Sequence, residues 1–195
     1  DVLADTTPFR DGLGQMAGIL PQWVMEGGPE KACARLRDET VRERLRNECD
    51  RYWRFLPRGE WHRARLQSSQ EFPEFEGKDF NEIAALMGKD QWDAYFDILA
   101  ASGEALESIL LIGELFTDEH LTEMITHPLI SLGVDGFTSA LNSPRAAVTA
   151  HPVCFAGHVH YLTRHVGELH SSAVVEPHRQ MATMPAQHLC LPYRV

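Results

Sequence analysis

The chain has 195 residues, of which 44% are apolar, and its formal net charge is −10. This length suffices for one domain with a hydrophobic core, or for part of a larger domain. The acidic balance argues against a nucleic-acid partner, which requires a basic surface. No apolar stretch approaches the roughly 18 residues of a membrane helix. Four cysteines at scattered positions predict free thiols in a reducing, cytoplasmic compartment.

The first elements in chain order are a short strand and two helices. Residues 2–4 are apolar and precede the turn-forming stretch DTTPF, which indicates the end of a strand. Pro29 suits the first turn of a helix over EKACARLRD, and Asp38 is placed to cap the next helix. Residues 59–75 favour extended structure and loop. Because the chain begins as if inside a strand, we expect both of its ends to be cut.

The helix signals become sharper after residue 77. Asp79 and Glu82 have the spacing of a capping box, and Gly88 is placed to end the helix that follows. Asp90 is placed to begin another helix. The apolar side chains of that helix recur at helical spacing, which is typical of a surface that packs into a core rather than of a cofactor site. They are Trp92, Tyr95, Phe96 and Leu99.

Two short apolar runs follow, and both are predicted to be buried strands. They are residues 108–113 (SILLIG) and 128–134 (PLISLGV), with a helix predicted to begin at Thr117 between them. Continuous apolar runs of this length are typical of strands that are buried on both faces. Helices that alternate with such strands predict an α/β fold with parallel βα units.

Asp135 directly follows the second run and is the candidate catalytic residue. In parallel βα architectures, functional residues lie where the carboxyl ends of the strands meet the loops. An aspartate at such a position can accept a proton from water, or ligate a metal ion. Gly136 is expected to permit a tight turn beside it. The pattern also allows a second interpretation, in which Asp135 only caps the following turn.

Four stretches of the chain carry a further signal through their order and spacing. They are residues 20–48 (LPQWVMEGGPEKACARLRDETVRERLRNE), 77–136 (GKDFNEIAALMG to LISLGVDG), 151–166 (HPVCFAGHVHYLTRHV) and 179–192 (RQMATMPAQHLCLP). This ordered set resembles the D-aminoacylase (N-acyl-D-amino-acid deacylase) family of the amidohydrolase superfamily. The fold implied by this resemblance is a partial (β/α)8 TIM-type barrel, the C-terminal half of the catalytic barrel, with a small inserted subdomain.

The resemblance also implies a division of the chain into four segments. Residues 1–10 would be the end of a barrel strand, and residues 11–73 the inserted subdomain. Residues 74–166 would be the last βα units of the barrel, and residues 167–195 a C-terminal helical segment.

By the same resemblance, the complete enzyme binds zinc and hydrolyses the amide of an N-acylated amino acid. Asp135 would act as the general base on the metal-bound water and then protonate the leaving amine. It is also a possible metal ligand. The other zinc ligands of the family lie upstream of this chain, so we expect the chain alone to be inactive.

This sequence departs from the family at the residues that bind the substrate carboxylate. The family uses an Arg after a His-Pro pair, with a Tyr and a Ser near the seventh strand. Here the pair that begins at His151 is followed by Val153, and the other two positions are Thr7 and Leu13. His151, Val153 and Thr7 remain the candidate substrate-binding residues, although an apolar Val cannot pair with a carboxylate. Arg145 either replaces the missing Arg or is a surface-loop residue.

The sequence GHVH contains an apparent His-x-His metal motif, which we do not interpret as one. The segment FAGHVHYLTRHV is expected to be helical, and residues two apart on a helix point to different sides. His158 and His165 are therefore predicted to be ordinary helix-surface histidines. Farther along, Pro177 is expected to interrupt the helix of that region or to mark a shifted boundary.

Three hypotheses for function stay open. The first is part of a zinc-dependent amidohydrolase that cleaves a linear amide, either an N-acyl amino acid or an N-acyl amine. The second is a non-catalytic barrel fragment or interaction module. The third is an amidohydrolase that uses Asp135 on cyclic amides or carbamates. The expected partner in the first case is a small N-acylated molecule, with no nucleic acid and no membrane, and the sequence leaves the oligomeric state open.

Overall fold

The computed structural model describes residues 3–49, 53–136, 140, 142, 151–168 and 175–191. The chain divides into two compact units. We call Asp11–Leu115 the inserted unit, and Asp1–Arg10 together with Phe116–Val195 the terminal unit.

Strands and helices alternate irregularly, which makes the described chain a mixed α/β structure. The strands are Ala4–Thr6 (β1), Asp11–Gln15 (β2), Ala64–Ser68 (β3), Leu110–Glu114 (β4) and Ile130–Leu132 (β5). The helices are Gln22–Met25 (α1), Pro29–Leu36 (α2), Glu39–Glu48 (α3), Phe80–Met87 (α4), Gln91–Ala101 (α5), Asp118–Thr126 (α6), Val153–His160 (α7), Val175–His178 (α8) and Met184–His188 (α9). Helix α7 continues as a π-helix over Tyr161–Glu168, and a second π-helix over Arg179–Thr183 joins α8 to α9.

Local sequence signals explain where the helices of the inserted unit begin and end. Pro29 is the first residue of α2, and Asp38 caps α3 by accepting from the backbone N–H of Thr40. At the start of α4, Asp79 and Glu82 form the complete capping box. These predictions are confirmed.

The end of α4 and the start of α5 also follow the sequence. Gly88 closes α4 with a φ of 64°, in the left-handed region that favours glycine. Asp90 then caps α5 with its side-chain oxygen. Both predictions are confirmed.

The aromatic side chains of α5 lie in the core of the inserted unit, as predicted. Tyr95 and Phe96 are fully buried, and Trp92 packs partly buried against the same core. The Tyr95 hydroxyl donates to the backbone carbonyl of Met16, so its polar end is satisfied inside the core. The Trp61 ring meets Trp92 edge-on at a centroid distance of 4.8 Å.

Strand β4 is the central strand of an antiparallel sheet in the order β2-β4-β3. The prediction that residues 108–113 form a parallel strand buried on both faces is therefore wrong. Burial alternates along β4, with Leu111 and Gly113 buried and their neighbours partly exposed. A Cβ on Gly113 would lie 2.2 Å from the Trp53 ring, so this glycine is needed for packing.

Because β4 pairs with β2 and β3, it forms part of the inserted unit. The sequence-based division, which assigns residues 74–166 to the last βα units of the barrel, stays a prediction. The pairings join segments that lie about a hundred and about fifty residues apart, a distance over which local sequence patterns carry no information.

The terminal unit contains a pair of parallel strands. Ala4 pairs with Ile130 and Thr6 with Leu132, and the backbone N–H of Gly133 donates to the Thr6 carbonyl at 3.0 Å. Helix α6 begins at the cap Thr117, as predicted. One apolar cluster joins α6, β5 and the helix that follows α7, and its buried members are Leu121, Ile125, Leu132 and Tyr161.

Pro177 lies within α8. The residues before this helix, 169–174, lie outside the described residues. Whether Pro177 interrupts a longer helix or marks a shifted boundary therefore stays a prediction.

None of the four cysteines forms a disulfide: Cys33, Cys49, Cys154 and Cys190. Within the part of the chain that the structure describes, no helix combines the length and apolar character needed to cross a bilayer.

Candidate functional site

The candidate site lies at the carboxyl end of the β1–β5 pair. Both strands are parallel, so their carboxyl ends lie at the same edge. Strand β5 ends at Leu132, and Asp135 follows three residues later with an exposed side chain. Its φ is 53°, in the left-handed region that aspartate and asparagine enter more readily than most residues.

Gly136 lies close to the first residues of α7. A Cβ at this position would lie 2.7 Å from the carbonyl oxygen of Val153 and 3.0 Å from the Cα of Cys154. The glycine therefore permits this close approach. The tight turn expected beside it stays a prediction, because residues 137–139 lie outside the described residues.

A second glycine holds the same helix against the loop. A Cβ on Gly157 would lie 2.3 Å from Cγ1 of Val134. The Val134 side chain therefore occupies the space above Gly157, one turn into α7. Together the two glycines fix the loop that carries Asp135 against the amino-terminal half of α7.

His151 is a buried residue just before α7. Only 2% of its surface is exposed, and Nδ1 accepts a hydrogen bond from the backbone N–H of Val153 at 3.1 Å. The Phe9 ring meets the imidazole edge-on at a centroid distance of 5.2 Å. Its Nδ1 is thus an acceptor, which places the ring proton of a neutral His151 on Nε2.

Thr7 lies just beyond β1, close to the same edge. The residue is half-buried, and its Oγ1 is a buried atom for which the described residues supply no hydrogen-bond partner. A hydroxyl of this kind can bind a polar group of a ligand or a water molecule. Val153 is half-buried at the first position of α7.

Leu13, the third position of the predicted carboxylate-binding set, lies in β2, in the inserted unit. Arg145 lies outside the described residues.

The histidines of α7 do not form a metal-binding pair. His158 is exposed, as predicted, whereas His160 stacks on the Phe9 ring at a centroid distance of 4.3 Å. His165 is 3% exposed, and its Nε2 lies 3.0 Å from the carbonyl oxygen of Pro8. The prediction of a surface position for His165 is wrong. His165 lies four residues after Tyr161 and eight residues after Gly157, both of which are buried. This helical spacing indicates that the three residues share one buried face.

Asp5 is a second carboxylate at this edge that sequence reasoning did not single out. It lies in β1, and its carboxyl group covers the backbone of Gly133. The sequence signal that could have identified Asp5 is its position near the end of the first predicted strand. Asp135 was identified from the same kind of position, after the last strand.

The described residues do not by themselves form a metal centre. Within residues 3–49, 53–136, 151–168 and 175–191, no three His, Cys, Asp or Glu side chains are arranged to hold a metal ion.

Comparison with solved structures supports the fold. N-acyl-D-glutamate deacylase from Bordetella bronchiseptica, complexed with zinc and a phosphonate inhibitor, matches with a TM-score of 0.61 at 18% identity. Two D-aminoacylase structures match with a TM-score of 0.58 at 16% identity. The chain therefore has the fold of part of a D-aminoacylase.

All three matches cover the whole of this chain but only 30% of the other. One of the D-aminoacylase structures is described as having a binuclear metal centre. No protein-family model and no curated protein sequence matches the chain.

Proposed function

We propose that this chain is part of a zinc-dependent amidohydrolase that cleaves a linear amide, with Asp135 as its general base and acid. The observation that carries the proposal is the position of Asp135. It is exposed at the carboxyl end of a parallel strand, in a chain with the fold of part of a D-aminoacylase. In this interpretation β1 and β5 are the last two strands of a (β/α)8 barrel.

Water is the second reactant in the proposed hydrolysis. Asp135 accepts a proton from the attacking water, whose oxygen bonds to the acyl carbon. The C–N bond then breaks, and Asp135 gives the proton to the departing nitrogen, so that a carboxylic acid and an amine are released. Its exposed position fits both proton transfers, because the same oxygen can reach water and the leaving group.

Zinc would be bound mainly by side chains outside the described residues, since those residues hold no metal-binding group of their own. The complete active site would therefore require the remaining strands of the barrel. The chain spans 30% of the length of the matched structures, which leaves room for those strands in a longer protein. We expect residues 1–195 alone to be inactive.

The substrate-facing residues of the proposal are Thr7, His151 and Val153. Thr7 offers a buried hydroxyl that is hydrogen-bonded to none of the described residues, and the Nε2 of His151 is a donor in the neutral tautomer. Val153 supplies an apolar contact. This set suits an N-acyl substrate with amide oxygen and nitrogen atoms to bind, and it lacks the bidentate Arg with which proteins usually hold a carboxylate.

The proposal is tested by amide hydrolysis with the zinc-loaded, full-length protein that contains this chain. Amine release is measured on N-acetyl-D-amino acids and on neutral N-acetyl amines, with cyclic amides and carbamates included. Asp135→Asn should lower kcat by about 10²- to 10⁴-fold, the contribution of a general acid–base group. Glu123→Gln, which removes an exposed carboxylate from α6, is the matched control and should retain the rate.

Thermal unfolding of both variants verifies that they remain folded. A variant Asp135→Asn that turns over as fast as the wild type would refute the catalytic assignment. Activity restricted to cyclic amides or carbamates would keep the role of Asp135 and overturn the linear-amide substrate.

A further inference from the structure

The π-helix over Tyr161–Glu168 carries two buried polar side chains, one turn apart. Only 1% of the surface of Tyr161 and 3% of that of His165 is exposed. Their ring centroids lie 6.0 Å apart. π-Helices are rare and occur frequently at functional sites. The two side chains connect this helix to opposite ends of the β1–β5 pair.

Tyr161 connects the helix to the amino end of β5 through Gln180. The Tyr161 hydroxyl donates to Oε1 of Gln180. The Gln180 amide nitrogen donates to the carbonyl of Ile125 at 2.6 Å and to the carbonyl of Ile130 at 3.2 Å. Ile125 lies in α6, and Ile130 is the first residue of β5. The π-helix is thus fixed against the start of this strand.

His165 connects the same helix to the segment that follows the carboxyl end of β1. Its Nε2 lies 3.0 Å from the carbonyl oxygen of Pro8. A carbonyl only accepts hydrogen bonds, so Nε2 carries the proton and donates it. Pro8 is buried and, as a proline, has no backbone N–H. His165 therefore satisfies the one backbone polar group that Pro8 possesses.

The other ring nitrogen of His165 indicates that packing alone does not account for this histidine. Nδ1 is buried, and the described residues supply no hydrogen-bond partner for it. A buried polar atom without a partner costs stability, whereas an apolar side chain of similar volume would not carry that cost. Such departures from the most stable choice are typical of residues that serve function.

The segment that this hydrogen bond holds, residues 7–9, carries part of the proposed substrate-binding set. We call it the β1 exit segment. Thr7 supplies its buried hydroxyl, and the Phe9 ring meets the His151 ring edge-on at a centroid distance of 5.2 Å. Pro8 lies between them, and its carbonyl belongs to the planar peptide unit that continues into Phe9. A shift of this carbonyl therefore moves both neighbours.

Resting on the function proposed above, we propose that His165 is a positioning residue for substrate binding. Its Nε2–H holds the β1 exit segment so that the Thr7 hydroxyl and the His151 ring keep the orientation that binds an N-acyl substrate. His165 itself is too buried to meet the substrate. Asp135 lies on a different segment, after β5, so loss of this hydrogen bond should weaken binding and leave the proton transfers in place.

The test replaces His165 in the zinc-loaded, full-length protein with Gln, Asn and Leu. A glutamine amide nitrogen reaches the place of the histidine Nε2, an asparagine amide nitrogen reaches only the place of Nδ1, and leucine has no donor. The substrates are N-acetyl-D-alanine and N-acetylpropylamine. His158→Asn, at an exposed position of α7, is the matched control and should change neither kcat nor KM.

His165→Asn and His165→Leu should raise KM by about five- to tenfold, the effect of one hydrogen bond, and keep kcat within about twofold of wild type. His165→Gln should retain the wild-type KM. Thermal unfolding of each variant verifies that it is folded. A merely structural role would instead lower kcat and the melting temperature together, without rescue by glutamine.

Two further measurements make the test independent of turnover. In the Asp135→Asn background, calorimetric dissociation constants for the same two molecules should rise by about five- to tenfold with His165→Asn and return to the starting value with His165→Gln. In wild-type protein with isotope-labelled histidine, NMR should place the ring proton of His165 on Nε2 and show that it exchanges slowly with water.

The outcomes separate this inference from the proposed function. If the amides are hydrolysed but His165→Asn leaves KM and the dissociation constants unchanged, the inference alone is overturned. It is also overturned if His165→Gln loses as much binding as His165→Asn, or if NMR places the ring proton on Nδ1. If His165→Asn and His165→Leu do not fold while His165→Gln does, the hydrogen bond is structural and the inference is wrong.

The remaining outcomes concern the reaction itself. If no amide is hydrolysed, but binding weakens with His165→Asn and recovers with His165→Gln, the inference stands and the proposed reaction is wrong. Absence of both hydrolysis and binding overturns both.

Discussion

At the scale of single residues, a network of ion pairs joins α3 to α5 in the inserted unit. Arg46 contacts Asp90 at 2.9 Å and Asp93 at 3.0 Å. The hydrogen bond from Arg46 is the largest cause that holds the pKa of Asp90 well below its usual range. Burial instead raises the pKa of Asp93. The charge on Asp90 therefore contributes to the stability of the folded chain.

The pH dependence of this contribution follows from the direction of the shift. A carboxylate whose folded pKa is depressed stabilises the fold above its unfolded pKa, near 4 for aspartate. That stability is lost as the pH falls through the folded pKa. We therefore expect Asp90→Asn to lower the free energy of unfolding at neutral pH by less than about 1 kcal/mol, since the pair is half-exposed. Below about pH 4 the difference should shrink.

Urea unfolding of wild type and Asp90→Asn, followed by tryptophan fluorescence over a pH series, measures this difference. Asparagine retains an oxygen that can accept from the backbone N–H of Trp92, so the helix cap is kept while the charge is removed. If the difference in free energy of unfolding between wild type and Asp90→Asn stays constant as the pH falls below about 4, the Asp90 charge does not have this role.

At the scale of elements, α7 is held against the loop that carries Asp135 by two close approaches. Gly136 contacts the backbone of Val153, and Gly157 contacts Val134. Both contacts depend on the absence of a Cβ rather than on glycine's conformational freedom, since neither residue has a positive φ. The position of the loop that carries Asp135 is therefore coupled to the position of this helix.

Gly157→Ala should displace α7 from the loop. Its Cβ would lie 2.3 Å from Val134, and overpacking of this kind costs about 1–3 kcal/mol of stability. We expect a lower melting temperature and, in the full-length zinc-loaded protein, a lower kcat. Gly167→Ala is the matched control, because its nearest atom would lie 3.5 Å away. In a helix, that change normally stabilises by about 0.5–1 kcal/mol.

Differential scanning calorimetry of the two variants tests this prediction. Gly157→Ala should lower the melting temperature, whereas Gly167→Ala should raise it. If both alanine variants are equally stable, Gly157 is not required for the packing of α7 on the loop.

At the scale of the whole molecule, the chain consists of two units that each have a core. The core of the inserted unit draws on residues between Met16 and Leu111. The described core of the terminal unit is the cluster around Leu132. At the boundary, the backbone N–H of Phe116 donates to the carbonyl of Arg10 at 3.0 Å, so the two segments of the terminal unit meet where the inserted unit begins and ends.

The inserted unit should therefore fold by itself. Residues 11–115 contain the complete three-stranded sheet and its core. We expect this segment to unfold cooperatively in urea and to give a dispersed amide spectrum by NMR. Residues 11–73, the subdomain expected from the sequence, lack the central strand β4 and should not fold. A cooperative transition for residues 11–73 alone would show that the sheet is dispensable.

Local signals in the sequence determined the elements and the candidate catalytic residue. Caps act within three or four residues, so Asp79, Asp90 and Thr117 predicted the starts of their helices correctly. The apolar run before Asp135 identified a strand with a carboxylate beyond its end, and the ordered resemblance identified the fold. These features depend on neighbouring residues or on the order of motifs, which a sequence displays directly.

Only the tertiary structure decided how distant segments pair and which side chains they bury. The antiparallel direction of β4 depends on partners far along the chain, and its apolar run is equally compatible with a parallel strand. His165 is buried by contact with Pro8, 157 residues away. Asp5 approaches Gly133, in the loop that carries Asp135, only because β1 pairs with β5 across 126 residues. Contacts of this kind leave no local periodicity, so the sequence alone identified Asp135 as a candidate but not the second carboxylate at the same edge.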